Sequence, residues 1–353
     1  MIPVIASANA ATAPASGGIF AAIPSPETSS WYIGSLAIHA YGIIIVAAMV
    51  LAACVAYIRY GRRGGASDLV YEIALWAIPL GLVGGRLWHV FTHPSDYFGE
   101  GKNPLTVLYI WQGGMAIFGA VLFGALGAYI AIRRNGQRLG PFADALAPGL
   151  MLAQALGRWG NYFNQELFGS ATSLPWGLEI SDLHLPAGYE SGTLFHPTFL
   201  YECLWNVIFA CLLMWIDRKI KFKAGQVFAL YLVFYGLVRF LLEFLRLDVS
   251  GQFLGLRTNQ WAALACLLLG LVAFVVLGKL GRSTRVSLSD CAEYYRRHPK
   301  LEAPLEIQAY LAEQKMAEEA SPQDDDGTGD SVHADSRMNP LNLRSETKLR
   351  EDD

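Results

Sequence analysis

The chain has 353 residues, of which 53% are hydrophobic and 16% charged, with a formal net charge of -3. A soluble domain runs at roughly 45–50% apolar and about 25% charged, so an ordinary soluble protein is excluded. The apolar excess falls in blocks long enough to cross a bilayer, which takes roughly 20 residues per helix.

Residues 1–33 are rich in Ala, Ser, Pro and Gly, contain no Lys or Arg, and read as an external lead-in. Seven apolar blocks follow, at about 34–58, 69–91, 111–132, 142–160, 197–216, 225–247 and 259–278. Leu51-Ala52-Ala53-Cys54 matches a lipoprotein cleavage site, but the basic segment that should precede it is missing, and Arg59, Arg62 and Arg63 follow it instead. It is read as part of a first membrane helix. The predicted fold is thus an all-α integral membrane protein of about seven transmembrane helices.

Loop charges set the predicted orientation. Arg59, Arg62 and Arg63 follow the first block, and Arg133, Arg134 and Arg138 follow the third. Arg218, Lys219, Lys221 and Lys223 follow the fifth, and Lys279, Arg282 and Arg285 the seventh. The alternate loops hold only Lys102 and Arg257. The N-terminus is therefore expected outside and the C-terminus in the cytoplasm, with a membrane domain over 34–285. Residues 170–196, with Pro175, Trp176 and Pro186, are expected to form a small external cap. Residues 286–353 are expected to be a largely disordered cytoplasmic tail, with a short amphipathic helix at 301–320 and an acidic end.

Cys54, Cys203, Cys211, Cys266 and Cys291 lie in or just after apolar blocks and read as small apolar fillers. No zinc-ligand spacing, metal motif or nucleotide loop is present, so no metal, no cofactor and no nucleic-acid partner are expected.

Ionisable groups inside membrane helices are costly and usually serve a site or a pathway. Here they gather toward the outer helix ends. His39 and Tyr41-Gly42 lie in the first block, and Gly84-Gly85-Arg86-Leu87-Trp88-His89 in the second. The fourth ends in Gly157-Arg158-Trp159-Gly160-Asn161-Tyr162-Phe163-Asn164-Gln165-Glu166-Leu167-Phe168-Gly169. His196-Pro197 and Tyr201-Glu202 open the fifth. In the sixth, Tyr235, Arg239 and Glu243 recur every four residues and so share one helix face. Some of these have sufficient structural readings. Arg86 can snorkel to phosphates, Arg239 and Glu243 can be an intrahelical ion pair, and Glu202 can tie helices together. His39 and His196 read as orienting residues, and the Gly81…Gly85 spacing fits close helix packing. The 157–169 run is denser in donors and acceptors than a helix end requires. It suits an anionic, hydroxyl-bearing headgroup, with Arg for phosphate and amides for hydroxyls.

That run resembles the signature of the phosphatidylglycerol:prolipoprotein diacylglyceryl transferases. So do His39-Ala40-Tyr41-Gly42, Gly84-Gly85-Arg86, Gly113-Gly114-Met115, His196-Pro197…Tyr201-Glu202 and Tyr235-Gly236…Arg239…Glu243-Phe244-Leu245-Arg246, in the family's order across residues 39–246. One departure matters. Many members carry a His, proposed as a catalytic base, where this chain has Phe118.

The resemblance implies a multi-pass enzyme of the bacterial cytoplasmic (inner) membrane, active in lipoprotein biosynthesis. It would transfer the diacylglyceryl group of phosphatidylglycerol to the lipobox cysteine thiol of a prolipoprotein signal peptide, releasing glycerol-1-phosphate. On this reading Arg158 and Arg239 hold the lipid phosphate, while Asn161 and Asn164 hold headgroup hydroxyls. Tyr41 and Tyr235 orient headgroup or thiol. Glu166 anchors the cluster to Arg158 or to a substrate hydroxyl, and Glu243 keeps Arg239 extended, with Arg246 sharing that carboxylate. Gly169, Arg86 and His196 complete the expected substrate contacts. No base is assigned: His89, His196 and Glu243 are candidates, as is thiolate formation in the arginine field alone. The rival reading is a transporter or channel for an anionic solute, which predicts polar residues through the full membrane depth and an internal repeat.

Overall fold

A computed structural model describes residues 22–34, 36–99, 101–110, 113–247 and 251–320. Residues 1–21 of the expected lead-in and 321–353 of the expected tail lie outside the described residues. The chain divides into a compact body, Met1–Tyr310, and a second unit, Leu311–Asp353.

Seven helices are long and apolar enough to cross a membrane. They are α1 (Ala40–Arg62), α2 (Leu69–Thr92), α3 (Ile117–Arg134), α4 (Leu139–Phe163), α5 (Thr198–Lys219), α6 (Gln226–Leu242, continued by a 3-10 turn to Leu245) and α7 (Thr258–Leu280). The expected blocks thus become seven spans of a multi-pass membrane protein. Two block edges are not helical. Residues 30–39 form a hairpin, β1 (Ser30–Ile33) and β2 (Leu36–His39), with Trp31 and Tyr32 exposed. Residues 113–116 lead into α3 without regular secondary structure, with Gly113 and Gly114 at φ 87 and 70.

Chain neighbours α2 and α3 pack together, as do α6 and α7, while α4 at the centre meets α1, α5 and α6. Apolar burial gives little drive between helices in lipid, so close backbone approach has to supply it. The α2–α3 contact shows this: a Cβ on Gly84 would lie 2.6 Å from the Gly119 carbonyl oxygen, and one on Gly119 2.2 Å from that of Gly84. Where α4, α5 and α6 meet, Ala147, Met151, Ala210, Leu213, Val227 and Tyr231 form a buried core.

The two ends of the bundle differ. At one, the basic loops join: Ala224 N–H donates to the Arg282 carbonyl (2.8 Å) and Val286 N–H to that of Arg63 (2.8 Å). Here α8 (Leu288–Arg297), N-capped by Ser287, docks on the membrane helices with Cys291, Ala292, Tyr294 and Tyr295 buried. Gln137 donates to the Asp290 carbonyl, and His298 Nε2 lies 2.7 Å from Glu72. α9 (Leu305–Ala320) follows. Of the segment after 286, expected to be largely disordered apart from a short helix at 301–320, residues 288–297 are instead folded as α8, while α9 falls within the expected helix. The short, polar α8 sequence hides this, because its buried face completes a core supplied by other parts of the chain.

At the other end sits the expected cap. β3 (Leu178–Glu179) pairs with β4 (Leu194–Phe195), and Ile23 adds alongside β3. Leu178, Ile180, Phe195 and Phe199 form its core, with Tyr162 and Phe168 against it. A second hairpin, β5 (Gln252–Phe253) and β6 (Leu256–Arg257), leads into α7.

Candidate active site

The site lies at the cap end, where α4 leaves the bundle beside α5 and α6. Its centre is a carboxylate between two guanidiniums. Glu202 Oε2 of α5 is 2.6 Å from Arg158 Nη2 of α4, and its Oε1 is 3.9 Å from Arg239 Nη1 of α6. The three line a small cavity with Gln154, Asn206, Tyr235 and Val238. Two polar atoms of that lining, Arg239 Nη1 and Gln154 Oε1, are buried without a hydrogen-bond partner. Buried polar atoms are nearly always satisfied, so an idle donor and an idle acceptor around one cavity mark a place for a water molecule or a ligand group.

A second carboxylate steadies Arg239 from behind. Glu243, fully buried, places Oε2 3.0 Å from Arg239 Nη2, one helical turn away. The same carboxylate stands 3.9 Å from Arg246 Nε and 3.6 Å from Arg257 Nη1, and accepts from Asn259 Nδ2 at 3.1 Å. Glu202 thus faces Arg158 and Arg239 together, while Glu243 is shared by Arg239, Arg246 and Arg257.

The exit of α4 supplies the rest. Arg158 Nη1 donates to Asn161 Oδ1 (3.2 Å), and Asn161 Nδ2 donates to Glu166 Oε1 (2.8 Å), which also receives Asn164 Nδ2 at 3.4 Å. The chain turns sharply here, with Gln165 at φ 49 and Leu167 at φ 58. Left-handed backbone at a residue other than glycine costs on the order of 1–3 kcal/mol, and such strain collects at functional sites. Hydrogen bonds offset it: Glu166 N–H to the Asn161 carbonyl (3.0 Å), Ser181 N–H to Gln165 Oε1 (2.8 Å), and the Thr198 hydroxyl to the Leu167 carbonyl. Gly160 leaves room for the Tyr41 ring, since a Cβ there would meet it at 2.5 Å.

The sequence-predicted residues separate into two groups. Arg158, Arg239, Asn161, Asn164, Glu166, Tyr41, Tyr235 and Glu243 are drawn together. Within this group, Glu166 reaches Arg158 only through Asn161, and the carboxylate on Arg158 belongs to Glu202. The other three are engaged elsewhere. Arg86 donates to five backbone carbonyls, those of Val107 (2.8 Å), Gly113 (2.6 Å), Gly114 (3.0 Å), Thr106 (2.5 Å) and Tyr109 (3.4 Å). A guanidinium has five N–H donors, so its capacity is taken up by the α2–α3 loop rather than by a phosphate. His196 Nδ1 is 3.2 Å from the Tyr201 hydroxyl, which accepts from Trp176 Nε1 (3.0 Å), so it orients the cap. Gly169 is wedged in backbone: its N–H donates to the His196 carbonyl (2.9 Å), and a Cβ would lie 2.9 Å from that of Leu245. His89 pairs with Tyr97 (3.0 Å) in a separate cavity beside Arg86. Phe118 is exposed on the bundle surface beside Trp88 and does not line the arginine cavity.

The sequence reading missed Gln154, Asn206, Arg257 and Asn259, and took Glu202 as a mere tie. Glu202 and Asn206 do carry a signal, four residues apart on one face of a membrane helix. For Arg257 and Asn259 the sequence carries none, because only folding brings the start of α7 onto Glu243.

The prolipoprotein diacylglyceryl transferase family profile matches residues 29–276, a span that includes every residue of this cluster. The chain belongs to that family. It is 48% identical over 255 residues to phosphatidylglycerol–prolipoprotein diacylglyceryl transferase 2 of Streptomyces coelicolor, covering 72% of this chain and 80% of that protein. Enzymes of the same name from Paenarthrobacter aurescens and Mycobacteroides abscessus are 46% and 44% identical. Those alignments cover 76% and 75% of this chain, and 88% and 81% of the relatives. The two-arginine cavity presents fixed planar cationic donors, the chemistry that suits an anionic group.

Proposed function

We propose that the chain transfers the diacylglyceryl group of phosphatidylglycerol to the cysteine thiol of a prolipoprotein lipobox, forming a thioether and releasing glycerol-1-phosphate. The single observation that carries this assignment is the cavity between Arg158 and Arg239 with its idle Arg239 donor. The lipid phosphate bridges the two guanidiniums there, planar donors suited to phosphate oxygens. Asn161, Asn164 and Gln154 take the headgroup hydroxyls, and Tyr41 and Tyr235 bound the space laterally. The thiol sulfur attacks the glycerol carbon. The C–O bond to phosphate breaks, and its electron pair leaves on the phosphate oxygen, toward which the arginines already point. Preorganised charge of this kind is usually the largest catalytic contribution.

The thiol proton has no dedicated acceptor in this mechanism. His89 and His196 are engaged outside the cavity, and Glu243 is fixed among three arginines. The nearby guanidiniums of Arg158 and Arg239 lower the thiol pKa, so thiolate forms in the arginine field and the proton passes to water. Phe118 takes no part.

The site faces outward, with the N-terminus outside, in a bacterial cytoplasmic membrane. The Lys- and Arg-rich loops at the α8 end support that orientation. A cysteine placed within 175–190 should react with an impermeant thiol reagent on intact cells, and one within 217–223 should not; the reverse would overturn it. For the activity, purified protein is incubated with phosphatidylglycerol and a lipobox peptide. A diacylglyceryl adduct on the peptide cysteine by mass spectrometry is expected. Lipid binding with an unmodified peptide would refute the assignment.

A further inference from the structure

We infer that Glu202 is an internal counter-anion that competes with the departing phosphate for Arg158 and Arg239 and so clears the product from the site. This rests on the phosphate assignment above. Glu202 is 6% exposed, and its two oxygens face one nitrogen on each arginine, at 2.6 and 3.9 Å. A headgroup phosphate bridging those arginines must approach the same nitrogens. Glu243 is not in competition, because it sits behind Arg239 and is held also by Arg257 and Asn259; Glu166 reaches Arg158 only through Asn161.

The charge balance explains the need. The lipid substrate is a phosphodiester with one negative charge. The product is a monoester carrying about 1.5 to 2 at neutral pH. Two guanidiniums, of Arg158 and Arg239, face the phosphate, so the more highly charged product is held more firmly than the substrate that gave rise to it. Without a competing anion, turnover would stall on the enzyme–product complex. Glu202 reaches Arg158 directly and stops short of Arg239, which leaves the Arg239 donor open for an arriving phosphate. When the product loosens, the carboxylate returns to both guanidiniums. Glu202 is thus a positioning residue, acting through the two arginines.

A structural tie and a counter-anion respond oppositely to Glu202→Gln. The full-length protein in detergent is titrated with glycerol-1-phosphate, and product inhibition and the first-turnover burst are measured with phosphatidylglycerol and a lipobox peptide. Glutamine keeps the shape and removes the charge. Product affinity is expected to rise about tenfold, within the range typical of coupling between two ligands of one site. A burst of one product per enzyme should precede a slowed steady state. Glu202→Asp keeps the charge on a shorter arm, so its product affinity should lie between wild type and Glu202→Gln. This second variant covers the case in which the first fails to fold. Weaker product binding in a folded variant, with no burst, would overturn the inference and leave Glu202 as a tie. Failure of the wild-type protein to form the peptide adduct would instead overturn the phosphate assignment, independently of these comparisons.

Discussion

Two arginine clusters sit at opposite ends of the bundle, and their difference separates a lock from a receptor. At the α8 end, Arg59 and Arg63 converge on Asp217, each with Nη2 2.9 Å from Oδ2. Further donors are engaged by the fold: Arg59 bonds the Ala145 (3.0 Å) and Asp144 (3.3 Å) carbonyls, and Arg63 the Thr284 hydroxyl. Asp144 in turn accepts the N–H groups of Gly225 (2.8 Å) and Phe228 (3.0 Å). This network fixes α1, α4, α5 and α6 to one another and to the segment before α8. At the cap end, the same residue types leave a cavity and an idle Arg239 donor. Composition is nearly the same in the two places; what distinguishes them is whether the protein's own acceptors satisfy the donors.

The comparison breaks most sharply at Arg158. Arg158→Ala should lower transferase activity by about 100- to 1000-fold, the usual cost of removing a positioned donor to developing charge. Arg158→Lys should recover only a small part, because an ammonium lacks the two-pronged planar geometry. Phe118→Ala should cost far less than either, since the ring is exposed outside the cavity. Near-normal turnover by Arg158→Ala with phosphatidylglycerol and a lipobox peptide would move the phosphate site to Arg239 alone.

Asp217→Ala tests the lock. Removing one partner of a fully buried ion pair typically costs about 3–5 kcal/mol; Asp217 is only partly buried, so a smaller but measurable fall in the thermal unfolding midpoint in detergent is expected. Turnover per folded molecule should stay within about twofold, as expected of distant, independent sites. A large loss in turnover with unchanged unfolding would show that the two clusters are coupled.

Much of this division was legible in the sequence. The seven spans follow from apolar length, and the Tyr235, Arg239, Glu243 face follows from the helical period. The donor-rich exit of α4 stood out because no helix end needs so many amides. What could not be read is which partner each arginine chooses. Arg86 and Arg158 look alike in sequence, yet one is surrounded by carbonyls from residues 106–114 and the other faces a carboxylate from a different helix. The hairpin at 30–39 was hidden because its apolar second strand runs directly into α1. α8 was hidden because it is short and polar, and its partners lie over 150 residues earlier, as with Gln137, which donates to the Asp290 backbone carbonyl.

That docked helix sharpens the lock further. From composition alone, truncation after about residue 290 should be harmless. The structure instead has Tyr294 and Tyr295 buried and Arg297 donating to the Arg134 carbonyl (2.6 Å), so that cut should destabilise the bundle. Loss of a buried aromatic side chain alone costs about 3–5 kcal/mol. Truncation after residue 320 should leave activity and unfolding near those of the full chain. Equal behaviour of the two truncations would mean that α8 contributes nothing to the lock.

The smallest expected effect is on the chemistry of Cys291. Burial, and secondarily the neighbouring Asp290 carboxylate, push its thiol up to about 11. Burial likewise pushes the Tyr295 phenol up to about 12. Both groups are neutral acids whose folded pKa exceeds the unfolded one. The stability they contribute is therefore fully present below the ordinary thiol pKa of about 8.5 and is lost as pH rises through about 11 for Cys291. Alkylation of Cys291, mapped by mass spectrometry, should stay slow from neutral pH to the ordinary thiol range and climb only near pH 11, where thiolate forms and α8 loosens together. Asp290→Asn should move that climb to lower pH, because it removes the secondary cause and leaves burial in place. Labelling of Cys291 near neutral pH as fast as in the denatured chain would show that α8 is undocked in solution, and the lock would then end at Thr284.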